Sequence, residues 1–85
     1  MDRKNRIRYD QNDNEYILYT EQEAKYLDFY IDNGEKVYLV KNANQEFVQA
    51  TIVPDNFFED NLPYCFQNGK LIVLIEDLVY EGKSR

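Results

Sequence analysis

Four groups of residues in this chain have types and spacings on which chemistry could be built. Glu59-Asp60 and Glu76-Asp77 are adjacent carboxylate pairs. General acid–base work needs two carboxyl groups brought together in a cleft. Neighbouring residues on a strand point to opposite faces, so neither pair forms a dyad by itself. Asp10, Asn12 and Asn14 stand at the first, third and fifth positions of a calcium-loop pattern, with Glu21 at the twelfth. The sixth position needs Gly for its sharp turn and is Glu15 here. The flanks also read as strands, so an Asn/Asp-rich hairpin loop is the expectation. Cys65 is the only cysteine and lies between Tyr64 and Phe66. It cannot form an internal disulfide and reads as a small buried hydrophobe. The fourth group is a basic arm, Arg3, Lys4, Arg6 and Arg8 with Tyr9, of the right chemistry for contact with an anion.

What is missing narrows the field further. With no histidine, Ser-His-Asp and Cys-His nucleophilic machinery, imidazole bases and most zinc and haem sites drop out. The three glycines are scattered, so no loop can cradle phosphates or a dinucleotide. No cofactor, metal or small-molecule substrate is therefore expected, and no catalytic residue is assigned.

The charge is uneven. Residues 1–8 carry Arg3, Lys4, Arg6 and Arg8 against Asp2, a net of +3, whereas residues 9–80 hold four lysines against fourteen acids, a net of −10. A body this acidic repels nucleic-acid backbones and anionic membranes. The arm either reaches an anion or folds back on the acidic surface. There is no apolar stretch long enough to cross a membrane. Without a recognisable secretory segment or a disulfide, the cytoplasm is the expected compartment.

The elements that must position these groups are mostly hairpins. Asn68-Gly69 separates Tyr64–Gln67 from Lys70–Ile75, and Asn-Gly between strand-like runs signals a type I′ hairpin. Leu71–Ile75 is the longest apolar run, read as a central strand buried on both faces. Strands about 6–10 and 15–19 form a first hairpin, and 36–41 with 47–53 a second. Val48, Ala50 and Ile52 share one face of the latter. Residues 55–62 read as one helical turn capped by Asp55, tucking Phe57, Phe58 and Leu62 under the sheet.

Residues 20–34 fit two periods. Thr20 and Glu23 make a capping box, Glu21 and Lys25 an i, i+4 pair, and Asn33-Gly34 a helix stop. These favour an amphipathic helix over 21–32 that packs Ala24, Leu27 and Ile31 on the sheet and leaves Phe29 outside. As a strand, the same residues turn Leu27, Phe29 and Ile31 inward and make Asn33-Gly34 a hairpin turn.

The expected fold is thus one α+β domain over residues 1–85, an antiparallel sheet of hairpins carrying one helix, with 1–5 and 82–85 loose. The alternative is an all-β small barrel of SH3-like or OB-like type. The expected function is a non-catalytic cytoplasmic protein acting by protein–protein contact, as an acidic inhibitor, adaptor or homo-oligomeric accessory factor. Its surface would centre on Tyr26, Phe29 and Tyr30. The alternative is single-stranded nucleic-acid binding through the basic arm and surface tyrosines, which has stacking side chains but lacks a basic groove.

Overall fold

The computed structural model describes residues 5–74. In chain order these form β1 (Ile7–Tyr9), β2 (Glu15–Thr20), α1 (Glu21–Ala24), β3 (Asp28–Asp32), β4 (Glu35–Lys41), β5 (Phe47–Val53), β6 (Tyr64–Gln67) and β7 (Lys70–Val73). Five strands make one sheet in the order β1-β2-β5-β4-β3, and β6 pairs with β7 separately. The described residues are sheet-dominated with one short helix. Among the described residues the sheet does not close into a barrel, and β1 and β3 are its outer strands.

Two kinds of turn shape the hairpins. Asn33-Gly34 and Asn68-Gly69 each place two successive residues at positive φ, 54° and 80° in the first and 53° and 76° in the second. That is the type I′ geometry, whose twist matches the flanking strands. Asp10 and Asn42 build the other kind, and they build it the same way. Each side-chain Oδ1 accepts from the N–H two and four residues on, at 2.8–3.0 Å. Asp13 and Gln45, three residues on, take positive φ and donate back to the Asp10 and Asn42 carbonyls. The Asp10 loop is therefore a hairpin connection whose own amides occupy the carboxylate.

The segment 21–32 departs from the expected helix. Thr20 and Glu23 do form the capping box, but the helix ends at Ala24, with Lys25 as its C-cap. Asp28–Asp32 is instead a strand, paired with β4 from Asp28↔Leu39 to Asp32↔Glu35. The reason is competition. A local cap stabilises only one turn, whereas aromatic and β-branched residues opposite Val37-Tyr38-Leu39 gain a full ladder of cross-strand pairs. Nor does β3 turn Phe29 and Ile31 into a core, because all five of its residues are exposed.

Three further expectations need correcting. β7 is not a central strand buried on both faces. Among the described residues it pairs only with β6, and it alternates exposed with half-buried residues. Leu71 and Val73 face the core, while Ile72 lies outward opposite Cys65. Cys65 is accordingly half-buried rather than buried. Asp55 does not cap its own turn; its Oδ1 accepts from the Gln22 N–H of α1 at 2.9 Å. That turn ends instead at Asn61, at positive φ, with the Leu62 N–H bonded to the Phe57 carbonyl. Arg3, Lys4, Ile75, the Glu76-Asp77 pair, Leu78–Tyr80 and 82–85 lie outside the described residues.

The core has two parts, one on each face of the sheet. Successive residues of β2 supply both, because side chains alternate along a strand. Ile17 joins Val40 and Ala50, with Tyr38, Val48 and Ile52 alongside. Leu18 joins Val53 and Phe57, covered by Phe58, Leu62, Tyr64, Leu71 and Val73. The β6–β7 hairpin thus lies over the second face.

Candidate functional site

The residues singled out for protein contact lie together at one edge of the sheet. Phe29 is 47% exposed, Tyr30 50% and Ile31 59%, and Tyr26, just before the strand, is 89% exposed. In an antiparallel pair, directly opposed residues share a face. Phe29 and Ile31 therefore lie on the face of Tyr38 and Lys36, and Tyr30 on the face of Val37. The Phe29 and Tyr38 rings stand 6.0 Å apart, and the Lys36 ammonium lies 4.7 Å from the Phe29 ring. The other face carries Asp28, Tyr30, Asp32 and Glu35. The helix expectation had Phe29 exposed on a helix; it is exposed on a strand, with Tyr30 on the opposite face.

The backbone of this edge is also open. A two-residue turn closes on a hydrogen-bonded pair, here Asp32↔Glu35. Alternation then directs the peptide groups of Asp32, Tyr30 and Asp28 toward β4. Those of Phe29 and Ile31 point away from the sheet.

The basic arm is placed differently. Arg6 makes a bidentate pair with Glu23, both bonds 2.9 Å, donates to the Leu18 carbonyl at 3.0 Å and lies 4.3 Å over the Tyr19 ring. The hydrogen bonds it donates to Glu23 raise its pKa above the ordinary guanidinium value, with burial opposing. Arg8 donates to the Asn5 and Ile7 carbonyls and lies against the Phe57 and Tyr64 rings. Tyr9 is exposed. Of the arm's described residues, Arg6 is thus committed to the protein's own acid, and Arg8 to its own backbone and rings.

Two concavities lie among the described residues. One, of about 420 Å³, brings Glu23, Asp55 and Glu59 beside Thr20. Glu23 is held there by Arg6 and by the Thr20 N–H, and Asp55 by Gln22, so these carboxylates anchor α1. No group of three or more metal-ligating side chains occurs among the described residues. The larger, about 710 Å³, opens where β4 leaves β5. β5 pairs with β4 only through residues 47–49 and with β2 through 50–53. Glu15, Lys36, Tyr38 and Lys70 line this groove, and Tyr38 links it to Phe29. No described helix is long and apolar enough to cross a membrane. No family model matches the chain, and neither a curated protein nor a solved structure matches it.

Proposed function

We propose that this chain is a non-catalytic cytoplasmic protein that works through protein–protein contact, with the β3 edge as its contact surface. One observation carries the reading: Phe29 and Ile31 lie exposed side by side on one face of an outer strand next to Tyr38, with Tyr30 exposed on its other face and Tyr26 exposed just before it. Single exposed apolar residues are ordinary, but contiguous apolar patches on a soluble protein mark contact sites. Tyr and Phe supply large contact area at low entropy cost. The engagement of Arg6 by Glu23 favours this reading over nucleic-acid binding, because it withdraws one of the arm's cations from phosphate.

The test compares wild type with the double variant Phe29→Ser, Tyr30→Ser. Sedimentation and affinity capture from a lysate of the source cell are run on both. The expected result is a self-association or a retained protein that the variant loses, with an unchanged melting temperature. Identical behaviour of the two proteins in both assays overturns the proposal.

A further inference from the structure

We infer that β3 receives one extended segment of a partner protein, added as a further strand, and that this segment carries cationic side chains four residues apart with apolar residues between them. The inference rests on the contact-surface reading above and names the partner's chemistry.

An outer strand offers a ladder to any chain that can pair with it, and proteins guard such edges with bulges, prolines, lysines or short length. The two edges of this sheet differ in their guards. β1 is three residues long. The Leu18 N–H bonds to the Arg6 carbonyl, so alternation turns the Asn5 and Ile7 carbonyls outward. Arg8 folds its guanidinium onto those two carbonyls. Among the described residues β3 carries no bulge, proline or lysine, and its only charges, Asp28 and Asp32, stand at its ends; its pairing with β4 is unbroken over five residues, and the Phe29 and Ile31 peptide groups face outward.

The two faces of β3 select the incoming side chains. Asp28 and Asp32 stand at the ends of the Tyr30 face, with Glu35 opposite Asp32. Opposite charges across strands stabilise and like charges destabilise, so the residues opposing Asp28 and Asp32 should be Lys or Arg. Phe29 and Ile31 line the other face, where Lys36 already sits over Phe29. The residues there should be apolar and uncharged.

A second copy is disfavoured in the register that overlaps the whole of β3. Two β3 strands related by a two-fold axis at Tyr30 would oppose Asp28 to Asp32 twice. That arrangement sets four carboxylates on one small face, beside both copies of Glu35.

The experiment titrates isotope-labelled protein with the peptide acetyl-Ser-Lys-Val-Thr-Val-Lys-Ser-amide and follows backbone amides by NMR. The Phe29 and Ile31 amides are expected to shift and to become protected from exchange. The same peptide with both lysines replaced by glutamate should leave them unchanged. Asp28→Asn with Asp32→Asn should weaken binding by about threefold to thirtyfold. Ile31→Pro removes an outward N–H that takes no part in the β4 ladder, so it should fold and fail to bind. Ile31→Thr keeps that N–H and should still bind. Equal binding of the glutamate peptide, normal binding by a folded Ile31→Pro protein, shifts confined to β1 or the groove, or no binding at all overturns the proposal. So does a dimer that Ile31→Pro dissociates. If the lysine peptide fails while the Phe29→Ser, Tyr30→Ser variant still loses an association, strand addition falls and the contact surface stands.

Discussion

Arg6 and Asp10 show how single side chains fix this fold. Arg6 satisfies both oxygens of Glu23, and Glu23 in turn accepts from the Thr20 N–H, so one acid serves the cap and the ion pair together. The two side chains are 29% and 28% exposed, which limits solvent screening of the pair. Arg6→Ala should lower stability by about 2 kcal/mol in urea unfolding, because it removes the charge-assisted bonds to Glu23 and the bond to the Leu18 carbonyl. Glu23→Gln in that background should cost much less than in wild type, since the two changes remove one interaction. Asp10 allows a test by pH. Its carboxylate accepts from the Asn12 and Asn14 N–H groups, the Asn14 amide and the Tyr16 hydroxyl, and the Asn14 backbone bond is the largest of the effects that lower its pKa. A carboxylate with a depressed folded pKa contributes stability above its unfolded pKa. That contribution disappears as pH falls through the folded value. Asn42 performs the same loop role without a charge. Asp10→Asn should therefore fold, be less stable than wild type at pH 7, and match it progressively as acid protonates Asp10. A difference that stays constant down to about pH 2, well below the usual Asp pKa, would show that Asp10 contributes nothing as an ion.

At the level of elements, the hairpins were legible because their turn chemistry is local. Asn33-Gly34 and Asn68-Gly69 signal type I′ turns, and the Asx pattern after Asp10 and Asn42 needs only five consecutive residues. The segment 21–32 was misread for the opposite reason. Its cap is local, but its strand partner lies beyond the turn, and both periods fit the sequence until the Val37-Tyr38-Leu39 ladder is set beside it. Asn33-Gly34 was ambiguous in the same way, since it can end a helix or close a hairpin. The proposed contact residues Tyr26, Phe29 and Tyr30 were legible as aromatic surface, whereas the outer-strand position that unites them was not. The turns also hold measurable strain. Gln45 sits at φ 66° in a position that favours glycine, and it is exposed. Gln45→Gly should raise stability by about 0.5–1 kcal/mol by relieving the left-handed conformation. Gly34→Ala should lower it by about 1–2 kcal/mol, although a Cβ there would meet nothing within 4 Å. Thermal melts should rise for Gln45→Gly and fall for Gly34→Ala; the reverse pair of shifts would place the dominant effect in the entropy of the unfolded chain.

For the whole molecule, the decisive contact is one that no local pattern announces. β2 and β5 run parallel, joining Ile17↔Ala50 to Thr20↔Val53 across more than thirty residues of chain. Such pairing depends on matching buried surfaces rather than on a turn, so the chain's alternation shows which residues face inward but not which strand they meet. The β6–β7 hairpin raises the same question of attachment. Among the described residues no strand of the five-stranded sheet pairs with it. Tyr64, Leu71 and Val73 rest on Leu18, Val53 and Phe57, and the Leu74 N–H bonds to the Pro63 carbonyl. An isolated two-stranded hairpin is marginal in water, so β6–β7 should owe its order to this packing. Phe57 is the keystone: it is 2% exposed and its ring contacts both Phe58 and Tyr64. Phe57→Ala should cost about 3–5 kcal/mol, a large share of the stability of a domain this small. The loss should also be uneven. Amide exchange in 64–67 and 70–73 should accelerate well before that in β2 and β5, because the hairpin can detach without breaking the main ladder. If every strand instead exchanges at one common rate in the variant, the hairpin and sheet form a single cooperative unit, and Phe57 acts on the whole fold at once.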